Sequence, residues 1–202
     1  HFQELHWPRI GTDSMTITIP VGPQCIDVAG NVELAALLVL FDAALASPTR
    51  IDLVRVLPPH DEGVSASHAY LNRNKRCISL DLKAPAAVEV VKQLVGEYDI
   101  VLEQFRPGVM DRLGLGYEAL KAINPRLIHC GIVAFGRGGR YYNRPAYDPI
   151  IQSLSGVAGT FHRATGEPRF VPMVMTDHTT GLIAAQSVGF ALYRREKTGV
   201  GE

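Results

Sequence analysis

Cysteine is scarce in this 202-residue sequence. Cys25, Cys77 and Cys130 stand far apart and show no CxxC spacing. That argues against a disulfide framework or a zinc site, and fits a reducing, cytoplasmic setting. Net charge is absent too: 20 Lys and Arg balance 20 Asp and Glu. Nothing global therefore draws the chain to nucleic acid or an acidic membrane. No apolar run reaches membrane-spanning length. The longest, within Leu34 to Ala46, is broken by Asp42 and reads as a buried helix. A GxGxxG fingerprint is missing as well, because Gly136-Arg137-Gly138-Gly139 does not open a helix and Cys25 to Asn31 holds only Gly30. A nicotinamide enzyme is therefore disfavoured. There is no internal repeat and no low-complexity tract.

What is present is an ordinary globular composition, 47% hydrophobic and 20% charged. The length suits one domain, or one and a half. Residues 1–20 are expected to be a poorly defined N-terminal segment, and a foreign leader ahead of a start at Met15 is one explanation. From residue 21 on, strand and helix patterns alternate. Gln24–Ala29, Ile51–Leu57, Cys77–Leu82, Asp99–Phe105 and Leu127–Val133 read as strands. Asn31–Ala46 reads as a helix capped by Asn31, with Leu34, Leu37, Leu38 and Phe41 on one face. Pro85 opens another, with Val88, Val91, Leu94 and Val95 as its stripe. Short helices are expected around Val109–Leu113 and Tyr117–Ile123. The stretch from Pro58 to Tyr70 reads as a loop. The fold class expected is α/β: an open, mostly parallel, Rossmann-like sheet with helices on both faces.

Ligands of such sheets bind beyond the carboxyl ends of the strands. The turns at Asn72–Arg76, Gln104–Gly108 and Phe135–Asp148 are therefore expected to face one crevice. Two are basic: Arg73, Lys75 and Arg76 in the first, Arg137, Arg140 and Arg144 in the last. Focused positive charge on a neutral chain suits a small phosphorylated ligand. His60 and His68 lie near Asp61 and Glu62, but the loop reads as solvated surface, and no metal is expected. Val174–Gly181 leads into a long helical pattern. Asp177 reads there as an N-cap, kept ionised by the helix dipole, and a positioned carboxylate can act as a covalent nucleophile.

Several blocks in order resemble the class III coenzyme A transferases (the CaiB/BaiF type), a family that includes formyl-CoA transferase and α-methylacyl-CoA racemase. Leu71–Lys83 is similar to the family's basic turn and strand. Glu103–Gly114 resembles its ENFRPG…RLG block. Asn124–Ile128, Arg144–Asp148 and Gln152–Gly156 match further blocks, and the segment from Asp177 to Gly199 resembles the one holding the nucleophile. Val28–Val32 lacks the family's Ala-Gly-Pro-like turn. On this resemblance residues 21–202 are the large α/β domain, and the family's second, smaller domain is absent from the chain.

The resemblance implies CoA transfer between an acyl-CoA and a carboxylic acid, through an anhydride and a thioester on Asp177. It implies Tyr147 and Asp148 as further catalytic residues. It also implies CoA contacts from Asn72, Arg73, Lys75, Arg76, Gln104, Phe105, Arg106 and Arg112. CoA is then a substrate, and the expected partner is a second copy or a second chain in an interlocked dimer. Two alternatives stay open. One is 2-methylacyl-CoA epimerisation, but Tyr147 stands where that branch has a His, and a phenol with a pKa of about 10 is a poor base. The other is a non-catalytic CoA-binding or partner subunit.

Overall fold

The computed structural model describes residues 2–8, 14–20, 25–29, 37–40, 58–72 and 75–202. The strand expected at Ile51–Leu57 and the basic residue Arg73 lie outside them. Strands β1 (Phe2–Pro8) and β2 (Ser14–Pro20) pair antiparallel as a two-stranded ribbon, so the N-terminal segment has regular structure. Strands β3 (Cys25–Ala29), β4 (Leu37–Leu40), β7 (Lys75–Ser79), β8 (Ile100–Glu103) and β9 (Ile128–Gly131) form one open sheet in the order β7-β3-β4-β8-β9. The short strands β5 (His60–Asp61) and β6 (Val64–Ser65) make a hairpin that runs into helix α1 (Ala66–Leu71).

Three expectations need correcting here. Leu37–Leu40 is a strand within the stretch expected to be a helix. Four consecutive apolar residues fit either state, and pairing with β3 and β8 decides it. The Pro58–Tyr70 stretch is not all loop; Ser65 starts a helical turn by accepting from His68 N at 3.4 Å. The sheet is mixed: β3 runs antiparallel to both β4 and β7, while β4, β8 and β9 are parallel.

Two reversals restore direction, so β7 points the same way as β4, β8 and β9. The segments that leave β7, β8 and β9 therefore emerge along one edge of the sheet. From β7 the chain enters α2 (Pro85–Glu97), with Pro85 in the first turn, where no N–H is needed. Ala87, Val90, Val91, Leu94 and Val95 are its buried stripe. From β8 it turns at Gly108 (φ 76°) into α3 (Val109–Arg112), then α4 (Tyr117–Ile123). A left-handed φ suits glycine, which has no Cβ to clash. From β9 it passes to α5 (Asp148–Leu154), α6 (Val157–Thr165) and α7 (Met175–Thr198).

Neighbouring strand residues face opposite ways. Val101 joins the core with α2, Leu115 and Leu120, while Ile100 and Ile128 pack against Ala191, Val188 and Leu192 of α7. The sheet thus carries helices on both faces. The C-terminal end of α7 is fixed at the start of the strands. Arg195 Nη1 donates to Asp99 Oδ1 at 2.7 Å and to the Arg126 carbonyl at 3.2 Å, just ahead of β8 and β9. His129 N donates to the Glu202 carbonyl. From there α7 runs back against the strand direction. Asp177 lies about 21 Å from Ala191 along the helix at 1.5 Å per residue, toward the edge where β7, β8 and β9 end.

Candidate active site

Helix α7 begins at Met175, with Val174 at the N-cap position and no cap from its own side chains. Asp177 therefore sits in the first turn and is not the cap. The capping oxygen comes from elsewhere in the chain. Asp148, on α5, accepts from Thr176 N at 2.6 Å and from Thr176 Oγ1 at 2.7 Å, both on Oδ2. Asp177 N–H also points to this carboxylate. A carboxylate at a helix N-terminus satisfies orphan donors and meets the positive end of the dipole.

Asp148 is only 5% exposed. Its other oxygen, Oδ1, accepts from Gln152 Nε2 one turn later in α5. Gln152 is buried in turn, and Val171 N donates to its Oε1 at 2.8 Å. Burial would push the Asp148 carboxyl up, but the hydrogen bonds from Thr176, Gln152 and the Asp177 backbone hold it below the ordinary value.

Asp177 goes the opposite way. The residue is exposed, yet the protein around its carboxyl costs it hydration, and the Asp148 charge adds repulsion. Both raise its pKa above the ordinary value, and His178 opposes them. The expectation of a carboxylate held ionised at the helix start is thus corrected: lost hydration, with the Asp148 charge added to it, shifts the group the other way. A carboxylate with few partners is a better nucleophile than a saturated one, and the two aspartates divide accordingly. Asp148 is saturated with donors and Asp177 is open.

Tyr147 precedes α5 and is 55% exposed, so its hydroxyl is free to meet a ligand. Gln104 and Arg106 are exposed at the carboxyl end of β8. Phe105 does not offer its ring to a ligand, because the residue is 3% exposed and packs in the core. Its N–H donates to Glu103 Oε2 at 2.6 Å. Buried Glu103 is raised by desolvation, with repulsion from Asp111 adding to the rise and the Phe105 bond opposing it.

The basic turn is also placed differently from expectation. Asn72 closes α1 and bonds His68 Nδ1 at 2.9 Å, and Lys75 and Arg76 open β7. These residues lie at the amino end of β7, the edge opposite Gln104. The turn precedes its strand, so the carboxyl-end rule never applied to it.

The segment that does leave β7 holds Lys83. With Leu82, Pro85, Val88, Glu89, Arg112 and Leu113 it lines an open groove of about 420 Å³. Arg112 was expected from sequence; Lys83 was not singled out, although it follows the same strand. Among the described residues no cluster of His, Cys, Asp and Glu is placed to hold a metal ion, and no helix is long and apolar enough to cross a membrane.

Comparison with known proteins bears on this arrangement. Residues 45–202 match the CoA-transferase family III. The chain is 38% identical to acetyl-CoA:oxalate CoA-transferase of Acetobacter aceti over 76% of this chain and 40% of that protein. It is 31% identical to the succinyl-CoA–L-malate CoA-transferase beta subunit of Chloroflexus aurantiacus, over 94% of this chain and 49% of that protein. A CaiB/BaiF family protein from Brucella suis has the same fold with a TM-score of 0.71 and 36% identity, covering 81% of this chain and 43% of the other. The chain thus spans less than half the length of these relatives. The matched residues include β7, β8 and β9, the groove and the start of α7, and on this match and these likenesses the chain belongs to CoA-transferase family III.

Proposed function

We propose that residues 21–202 are the nucleophile-bearing α/β part of an enzyme that moves CoA between an acyl-CoA and a carboxylic acid. The observation that carries this reading is the division between the two aspartates: Asp148 is saturated by donors, while Asp177 beside it is exposed at the start of α7. In the proposed reaction the Asp177 carboxylate attacks the thioester carbonyl, the C–S bond breaks, and CoA leaves as thiolate. The thiolate attacks the aspartyl carbonyl of the mixed anhydride and releases the first acid as carboxylate. An acceptor carboxylate then attacks the aspartyl-CoA thioester and displaces the thiolate again. Attack of that thiolate on the new acyl group yields the product acyl-CoA and frees Asp177. Splitting the transfer into such steps is covalent catalysis.

Tyr147, exposed beside Asp148, is suited to donate a hydrogen bond to a carbonyl oxygen and has no role as a base. The groove holding Lys83 and Arg112 supports a phosphate-rich nucleotide site near the same edge, and Arg106 is a further candidate contact. The likeness to a protein named a beta subunit supports assembly with a second chain or a second copy. So does α7, which exposes a second apolar face: Leu182, Phe190 and Tyr193, with Ile183 beside them, are each more than half exposed.

The test is chemical trapping. The protein, alone and with any copurifying chain, is incubated with acyl-CoA, treated with hydroxylamine or borohydride, and mapped by mass spectrometry. Modification at Asp177 is expected. Modification elsewhere, or full transfer by Asp177→Ala, refutes the assignment.

A further inference from the structure

Gln152 is a buried amide, 1% exposed, and with Asp148 it forms the buried side of α5. Its side chain has more to hold than one neighbour. Nε2 donates to Asp148 Oδ1 and points also to the Val171 and Met173 carbonyls at 3.4 and 3.3 Å. Oε1 accepts from Val171 N at 2.8 Å. One side chain therefore joins the carboxylate that caps α7 to the strap, residues 171–173, that delivers the chain into α7. Buried polar groups linked in this way are costly to disturb, because each lost partner leaves another unsatisfied.

We propose that Gln152 is a positioning residue for Asp177: it orients the Asp148 carboxylate and anchors the preceding strap, and so fixes the first turn of α7. The inference rests on the reading of Asp177 as nucleophile. Gln152 touches no reacting atom in this account. It acts through Asp148, and the Thr176 and Asp177 amides report whether it does so. The charged groups facing Asp177 are Asp148 from α5 and His178 from its own helix, so the effect of Gln152 passes through the first of these.

Amide hydrogen exchange separates a local positioning role from general destabilisation. In Gln152→Leu, exchange at Thr176 and Asp177 should quicken by about tenfold or more, the factor expected for one lost hydrogen bond. Amides of α2 such as Val91 and Leu94 should be unchanged. Gln152→Glu supplies a conservative control. While its new carboxyl is protonated it can donate to Asp148 and accept from Val171 N, so protection should be kept at low pH. Protection should be lost as that carboxyl ionises beside Asp148.

Unaltered exchange at Thr176 in Gln152→Leu overturns the proposal, as does an equal rise at every amide. In trapping experiments Gln152→Leu should slow adduct formation on Asp177, and an unchanged rate also counts against it. A wild-type protein that forms no adduct on Asp177 defeats the proposed nucleophile, and the positioning role for it falls too. Loss of Thr176 protection in that case would still show the clamp, so the two failures are distinguishable.

Discussion

Asp148→Ala removes the cap of α7 at a distance of 28 residues in sequence from its main partner, Thr176. The loss can be worked from the contacts. Two short bonds from Thr176 and one from Gln152 end on this carboxylate. A hydrogen bond to a charged group contributes about 1.5–3 kcal/mol, and loss of a cap costs about 0.5–2 kcal/mol. These overlap, since the Thr176 N–H bond is the cap. Two corrections reduce the sum. Gln152 Nε2 keeps its weaker approaches to Val171 and Met173, and removal of the Asp148 charge relieves Asp177. A net loss of about 2–4 kcal/mol follows at neutral pH. For a chain of this size each kcal/mol lowers Tm by roughly 2–4 °C, so a fall near 10 °C is expected, with a matching drop in the urea midpoint. Asp148→Asn, which keeps an acceptor but not the charge, should fall between the two. The charge-dependent part of the effect should also disappear at low pH, leaving the smaller contribution of a neutral acceptor. Asp148 has a depressed pKa in the folded state, so its contribution is present above the unfolded value of about 3.9 and is lost as pH falls through the lower folded one. A destabilisation under about 0.5 kcal/mol at neutral pH, well below one charged hydrogen bond, would refute the capping argument.

Asp177→Asn should abolish transfer while leaving Tm at pH 7 unchanged or higher. The folded pKa of Asp177 is raised, so wild-type stability declines as pH climbs from the unfolded value toward the folded one, and the variant should lack that decline. A lower Tm for the variant across that window would count against the repulsion from Asp148. Lys83→Ala and Arg112→Ala should each weaken CoA binding, by about 1.5–3 kcal/mol if a charged hydrogen bond to phosphate is lost, and each should flatten its salt dependence in calorimetry; unchanged affinity in both would move the nucleotide away from this groove. Arg195→Met should cost about 1–3 kcal/mol in urea unfolding, because the buried guanidinium ties α7 to Asp99 and to the Arg126 carbonyl; the exposure of Asp99 keeps the figure below that of a fully buried pair.

Local pattern made much of the chain legible. Pro85 and the Val88–Val95 stripe marked α2, and the alternation of apolar runs with helices marked the layered α/β class. The ordered blocks from Leu71 onward placed the family before any coordinates. Asp177 drew attention by its position at the head of a long helix, but the capping role expected of it falls to Asp148. Where two states shared one pattern, the sequence misled. The Leu37–Leu40 run fits a helix stripe as well as a strand, and only hydrogen bonds to β3 and β8 select the strand.

By itself the sequence determined the period of each clear element, the absence of a fingerprint for dinucleotides, and the presence of a carboxylate at the head of the longest helix. These depend on residues close in the chain. Tertiary structure decided which strands are neighbours, that β3 is reversed, and that Lys75 and Gln104 lie at opposite edges of the sheet. It also decided which aspartate is held and which is left open. Asp148 and Gln152 meet Thr176 and Val171 only after α5 and α7 have packed. A hydrogen bond between residues so far apart leaves no periodic trace, because its partners are set by the path of the folded chain and not by spacing along it.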